Sequence, residues 1–330
     1  MARLTIADRR PLHGWLRRSW AQTLSSRDDV LVSVDPSVKT VYGAQRGARR
    51  GYNPKRRGAK SYFPLVAYDV DRGEVIDAAL RPGNWNLRGL RAFLLRLIDA
   101  AGAARDRLIM RLDRGCSGDQ VFSLLEAEGV RYVAKVEANN RLKAHAAALP
   151  AGQWKALAAG AEIASFRYLA KSWGGSRRVV AVRRVERDEP DALFAELAVV
   201  YSYDFYVTTL AWKKERVVAA YHRGSLVEAG IKELFEDLAA LATTTSSWRV
   251  NAALLLVGVL AQRVLSRLRR TALPAAFRTA RIRCIRFVFL DIGARIASHA
   301  RCLHVRLDRH YPWRTSWYRA WQALTPPAPT

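Results

Sequence analysis

Cysteine is scarce in this chain: Cys116, Cys284 and Cys302 are odd in number, far apart, and form no C-x-x-C pair. That excludes a disulfide framework or a zinc knuckle as an organising device. Cys302 and His304 alternate through a basic, strand-like RCLHVRLD segment without further ligands, so no metal site is read there. Long apolar runs are lacking as well. The longest, Ala252 to Ala261, is half of the roughly 20 residues that a spanning helix needs. The opening MARLTIADRR has no charged-then-apolar signal pattern, so a cytoplasmic protein without a membrane partner is expected.

Acidic residues are few. The 29 Asp+Glu stand against 55 Lys+Arg in 330 residues, a formal net charge of +26. Because arginine is spread over nearly every segment, the field is global and favours fast, salt-sensitive association with a polyanion, read here as nucleic acid. A general richness in Ala, Arg, Leu and Val is the competing source of the same excess. At 50% hydrophobic content the chain has ample material for one large or two modest cores.

Three of the scarce acids stand out. Asp35 ends the apolar run LVSVD, Asp113 ends LIMRLD, and Glu228 sits on the helix-like stretch YHRGSLVEAGIKELFEDL. Strands deliver groups at their carboxyl ends, and hard carboxylate oxygens suit Mg²⁺ or Mn²⁺ together with substrate phosphates. Each acid also has an ordinary reading: Asp35-Pro as a turn, Asp113 or Asp119 as a helix cap, and Glu228 as surface charge like Glu233, Glu236 and Asp237.

Around them, period-two and helical spacing predict strands VLVSVD, SYFPLVAYDV and GEVIDAAL with a turn at Asp71, Arg72 and Gly73. A helix over 86–101, strand RLIMRLD, a helix over 118–128 and strand RYVAKV follow. Before them, Trp15 and Trp20 are expected to pack a short helix. Beyond them, ASFRYLAKSW, RRVVAVRRVERD and YDFYVTTL read as strands, followed by helices over 248–269 and 281–298. The domain reading is a basic segment 1–29, a core 30–143, a β-rich insertion 144–211, a core helix carrying Glu228 over 212–246, a helical region 247–321 and a disordered tail 322–330. Trp154, Trp173 and Trp212 are read as packing, with base stacking as the alternative. The densest basic segment, Arg46, Arg49, Arg50, Lys55, Arg56, Arg57 and Lys60, interleaved with Tyr52 and Tyr62, is read as a phosphate-gripping loop beside Asp35, against a solvated hairpin.

The order strand, strand, strand, helix, strand, helix, strand resembles the ribonuclease H-like fold. The expected architecture is therefore α/β: a mixed sheet flanked by helices, interrupted by a β-rich insertion, with further C-terminal helices. That resemblance implies that the first and fourth strands are neighbours, bringing Asp35 and Asp113 together. Four blocks also resemble the DDE transposases of bacterial insertion sequences, group thirteen-eighty, related to the group four transposases. They are VSVDPSVKTVYGAQRGARRGYNPKRRGAKSYFPLVAYD; RPGN with RLDRGCSGDQVFSLLEAEGVRYVAKV; YHRGSLVEAGIKELFEDL; and SHARCLHVRLDRHYPWRTSW, together spanning Val30 to Trp317.

The resemblance implies a catalytic, metal-holding triad of Asp35, Asp113 and Glu228, two Mg²⁺ or Mn²⁺ ions, in-line phosphoryl transfer at transposon ends, and a homodimer in the synaptic complex. It also implies double-stranded DNA as the partner, association with the nucleoid, and DNA contacts from Tyr221, Arg223 and Lys232 on the glutamate helix. The family's helix carries Arg and Lys where this chain has Gly224 and Phe235. Only 34 residues precede Asp35, where relatives carry a larger end-recognising region. A truncated, catalytically silent copy that binds DNA or interferes with intact ones is the alternative expectation.

Overall fold

Alternation through β1 (Val30–Pro36) sends Val30, Val32 and Val34 into one apolar layer and Leu31 into the other, with Ser33 and Asp35 following Leu31 by the period of two. The computed structural model describes residues 6–85, 87–158, 160–186, 200–242, 245–299 and 302–325. Its central sheet continues with β2 (Leu65–Asp69), β3 (Glu74–Ala79), β4 (Leu108–Leu112), β5 (Arg131–Val136), β6 (Lys155–Leu157), β7 (Ala161–Tyr168), β8 (Arg177–Val185) and β9 (Tyr201–Thr208). The nine strands lie in the order β3-β2-β1-β4-β5-β9-β8-β7-β6.

The first three form the expected antiparallel meander, while β1, β4 and β5 run parallel. Parallel neighbours need a crossover. Helices α2 (Leu90–Ala101) and α3 (Asp119–Ala127) supply it, burying Leu90, Phe93, Leu94, Leu97 and Ile98, and then Val121, Phe122, Leu124 and Leu125, on the Val32 side. Each such side chain contributes about 1.5–3 kcal/mol on burial. This is the ribonuclease H-like core. The strands expected as an insertion do not form a separate layer: β9 pairs antiparallel with β5, and β8, β7 and β6 extend the same sheet.

A helix α4 (Asn140–Ala147), N-capped by Asn139, leads into this extension. Helices α5 (Lys214–His222), α6 (Gly224–Lys232) and α7 (Trp248–Thr271) cover the other face. The single core helix expected over 212–246 is thus broken at Arg223, and a π turn over Glu233–Asp237 follows. By length and apolarity alone α7 would suffice to cross a membrane. Here it packs on β3, where Gln262 accepts from the Val75 amide (2.9 Å) and donates to the Gly73 carbonyl (3.1 Å).

Helix α1 (Ile6–Ala21) docks through Trp20, whose Nε1 donates to Asp69 at 3.0 Å, and through Arg17, paired with Asp77 at 2.6 Å. Trp15, expected to pack, is instead half exposed, because it lies on the solvent side of α1 beside Arg263.

The expected 281–298 helix is corrected. It comprises α8 (Ile282–Ile285) and a π turn ending at Leu290, after which Ala294–His299 pairs with Cys302–Leu307 as an antiparallel hairpin. Ile282, Ile285, Val288 and Phe289 share a small core with α9 (Arg314–Leu324), but beyond Leu290 the spacing changes from helical to alternating. Because α9 reaches Leu324, residues 322–324 are helical in place of the expected disordered tail; residues 326–330 of that tail lie outside the described residues, as does residue 86 of the expected 86–101 helix.

Candidate functional site

Ser33 and Asp35 on β1 and Arg111 on β4 share the sheet face toward α5 and α6, because Leu31 and Ile109 on the same alternation face those helices. The register Val34↔Leu112 places Asp113, the residue after β4, next to Asp35 at the carboxyl ends of two parallel strands. Helix α6 lies across these ends and approaches the sheet closely. A Cβ at Gly230 would sit 2.3 Å from the Tyr68 ring, and one at Gly224 would sit 2.1 Å from Arg111 Nη2. A larger residue at Gly230 would have to displace the buried Tyr68 ring, and one at Gly224 would have to push the Arg111 guanidinium aside, and that close seating turns Glu228 into the same opening. The result is a cleft of about 1010 Å³ whose wall includes Asp35, Asp113, Glu228, Arg111, Arg114, Lys135, Tyr221 and His222.

The cleft's electrostatics are unfavourable for its own acids. Burial first, then the neighbouring charge of Asp113, pushes the Asp35 carboxyl up to about 6, with Arg111 pulling the other way and Glu228 adding to the rise. Asp113 accepts a hydrogen bond from the Tyr221 hydroxyl at 3.2 Å. Burial foremost raises that phenol's pKa, and it also lowers that of His222, keeping the imidazole neutral near pH 7. Cys116 lies under the site as an inert thiol, pushed up to about 12 by burial and then by Asp35.

Rival acids are engaged elsewhere. Glu233 pairs with Arg269 (2.9 Å), Asp237 and Glu236 with Arg281 (2.7 and 3.3 Å), and Asp119 with Arg177 (2.7 Å). Among the described residues, neither Glu228 nor Asp35 has an ion pair, and no three His, Cys, Asp or Glu side chains are gathered tightly enough to enclose an ion. The three carboxylates form an open acidic wall. Its donor set is hard oxygen, and the burial and like charge that raise Asp35 are conditions a divalent cation relieves, so the residues fit such an ion.

The expected DNA-contacting residues divide. Tyr221 is in the cleft but buried, with its hydroxyl on Asp113. Arg223 points away and pairs with Asp71 at 2.6 Å, and Lys232 is exposed outside the cleft lining. Arg46, Arg49, Arg50, Lys55, Arg56, Arg57 and Lys60 are all exposed on or beside a ribbon of short strands, Lys39–Thr40, Arg49–Arg50 and Lys60–Tyr62. The ribbon follows β1 directly, yet only Tyr52 from its loop reaches the acidic cleft. Arg50, Arg56, Arg57 and Lys60 line a second hollow of about 490 Å³.

Trp154 and Trp173 pack in the interior, and Trp212 lies under Arg216 (3.7 Å), so all three are engaged within the chain. Sequence reasoning missed Arg111, Arg114 and Lys135. Two of them were legible: Arg111 precedes Asp113 by two in LIMRLD, and Lys135 follows Val133 by two in RYVAKV, so strand alternation puts each on the helix-facing side.

The piggyBac transposase in a synaptic complex with hairpin DNA is similar over 72% of this chain and 46% of that one, at 12% identity and a TM-score of 0.41. The Mos1 mariner paired-end complex with Mn is similar over 36% of this chain and 41% of that one, at 19% identity and a TM-score of 0.23. The chain thus spans less than half the length of either. No curated protein matches. The family described as Transposase DDE domain group 1 matches residues 3–328, nearly the whole chain, and the protein belongs to that family of DDE transposases.

Proposed function

We propose that this transposase cuts and joins DNA at the ends of a bacterial insertion sequence of group thirteen-eighty, with Asp35, Asp113 and Glu228 as the catalytic acids. One observation carries the reading: two carboxylates meet at the ends of adjacent parallel strands, and the acid facing them from α6 is the one on its stretch without an ion pair. The three acids would hold Mg²⁺ or Mn²⁺, with two ions acting on one phosphate. When bound, such ions lower the pKa of a water or a DNA 3′-hydroxyl and stabilise the leaving oxygen.

The chain's own groups prepare that chemistry. The Asp35 carboxyl, pushed up to about 6, would be the more fully ionised once positive charge occupies the cleft, and the Tyr221 hydroxyl holds Asp113 by Oδ1. Arg114, exposed on the cleft wall, presents a cation where DNA phosphates would pass, while Lys135 beside it is already paired with Asp204. The exposed ribbon arginines add a grip at a distance from the reacting phosphate. Synapsis of two ends calls for two copies on DNA, in the nucleoid.

A second reading is a catalytically silent copy that binds DNA or interferes with intact ones. It is favoured by Gly224 and Phe235 standing where the family's helix carries basic residues. The separating experiment is Mg²⁺- or Mn²⁺-dependent nicking of DNA bearing the ends that flank this gene, wild type against Asp113→Ala. Metal-dependent nicking that the substitution abolishes is the expected result. Folded, DNA-binding wild-type protein that nicks nothing overturns the catalytic reading in favour of the silent one.

A further inference from the structure

Arg111 is 8% exposed and reaches from β4 under the junction of α5 and α6. Its Nε donates to the Tyr221 carbonyl and its Nη1 to Ser33 Oγ, both at 3.1 Å, and the guanidinium lies 4.4 Å from the centre of the Tyr221 ring. All of these partners are neutral. The comparably buried Arg177 has two carboxylates, Asp119 and Glu126, each at 2.7 Å. Among the described residues Arg111 has no carboxylate within ion-pair distance, although it borders a cleft walled by three acids. A guanidinium held this firmly by neutral groups, on the wall of an open cleft, is arranged for an anion that arrives from outside.

Its remaining nitrogen, Nη2, lies against Gly224 on the cleft wall, where any Cβ would come within 2.1 Å. Helix α6 presents Gly224, Ser225 and Glu228 to the cleft and no cation of its own. Of the cleft's other cations, Lys135 is neutralised by Asp204 at 2.6 Å, and Arg114 is exposed to solvent rather than held in place by the fold.

We propose that Arg111 is the guanidinium that binds a DNA phosphate beside the three acids, and that Gly224 is the seat that admits it. The cation comes from the strand, and the helix supplies the space. This rests on the reading of the cleft as a DNA-cleaving site. The competing role is purely structural: Arg111 would close the C-terminal end of α5 by bonding the Tyr221 carbonyl and do nothing else.

The test uses the full chain and a short duplex carrying the gene's flanking ends, with nicking read in Mn²⁺ and the salt dependence of binding read in Ca²⁺. Arg111→Gln keeps a donor for the neutral partners and removes the charge. It is expected to lower nicking about 10²-fold and to reduce the slope of log affinity against log salt by about 1. The exchange Arg111→Ala with Gly224→Arg, which moves the guanidinium to the helix, is expected to regain at least a tenth of wild-type nicking, whereas Arg111→Ala alone does not.

Unchanged nicking and slope in Arg111→Gln overturn the proposal. So does an exchange variant that melts like wild type yet nicks no better than Arg111→Ala. If wild type itself nicks nothing, the catalytic reading fails separately, and the slope still decides: no change on Arg111→Gln rejects the phosphate contact, and a drop of about 1 upholds it.

Discussion

Where β7, β8 and β9 extend the sheet, basic side chains meet acids. Arg177 holds Asp119 and Glu126, Arg183 holds Glu162, and Asp204 takes both Lys135 and Arg184. At the carboxyl ends of β1 and β4 the opposite holds: Asp35 and Glu228 have no ion pair among the described residues, and Arg111 touches only neutral groups. Both regions belong to one sheet with the same packing layers. In the extension, charge is neutralised locally and locks strands to helices. In the cleft, like charges are crowded and left for something else to neutralise, which costs stability but prepares binding.

The comparison breaks most sharply at the acids. Glu228→Gln and Asp113→Asn are each expected to lower metal-dependent nicking by about 10³-fold or more while leaving salt-sensitive DNA binding in place. A nicking assay paired with a binding isotherm checks this, and nicking within tenfold of wild type would remove that residue from the chemistry.

The extension should answer differently. Arg177→Met strands two carboxylates and removes contacts with the Phe122 and Trp173 rings, so it is expected to cost about 3 kcal/mol in a urea titration with no change in nicking per folded molecule. A loss of nicking without a loss of stability would tie Arg177 to the cleft after all.

A smaller effect follows from Asp35 itself. Burial, and then the charge of Asp113, push its carboxyl up to about 6 in the folded chain, above the ordinary aspartate value of about 3.9, so between those values the folded chain retains a proton that the unfolded chain has released. Stability therefore falls as pH rises through that window and stays lower above it. Asp35→Asn should be neutral near pH 3.5 and stabilise the metal-free protein by about 2 kcal/mol at pH 8. Equal melting shifts at both pH values would contradict the crowding.

Smallest in stability is the ribbon. Replacing exposed Lys55, Arg56 and Arg57 by alanine should change folding by less than about 0.5 kcal/mol. The salt slope of DNA binding is expected to fall by up to about 3, and an unchanged slope would make the ribbon a solvated hairpin.

Much of this was legible in the chain. Apolar periodicity located the meander, both crossover helices, β4 and β5, because strands and helices expose their faces at periods of two and 3.6 residues. It misjudged the stretch after Leu290, where helical spacing through Ile282, Ile285 and Phe289 carried the expectation past the point at which Ala294–His299 turns to strand. Nor did it show the break at Arg223. Arg223 itself has ordinary helical φ, and the Tyr221 carbonyl at the end of α5 is bonded by an arginine 110 positions earlier in the chain.

Local sequence determined which acids end strands, how the faces alternate, and that the chain would carry a large positive field. Only tertiary structure decided that Asp35 and Asp113 are neighbours, that three of the four acids on the glutamate stretch are engaged, and that Arg111 fills the space left by Gly224. The physical reason is the same throughout: periodicity is a property of consecutive residues, whereas burial, crowding and ion pairing depend on groups that meet only after strands and helices pack.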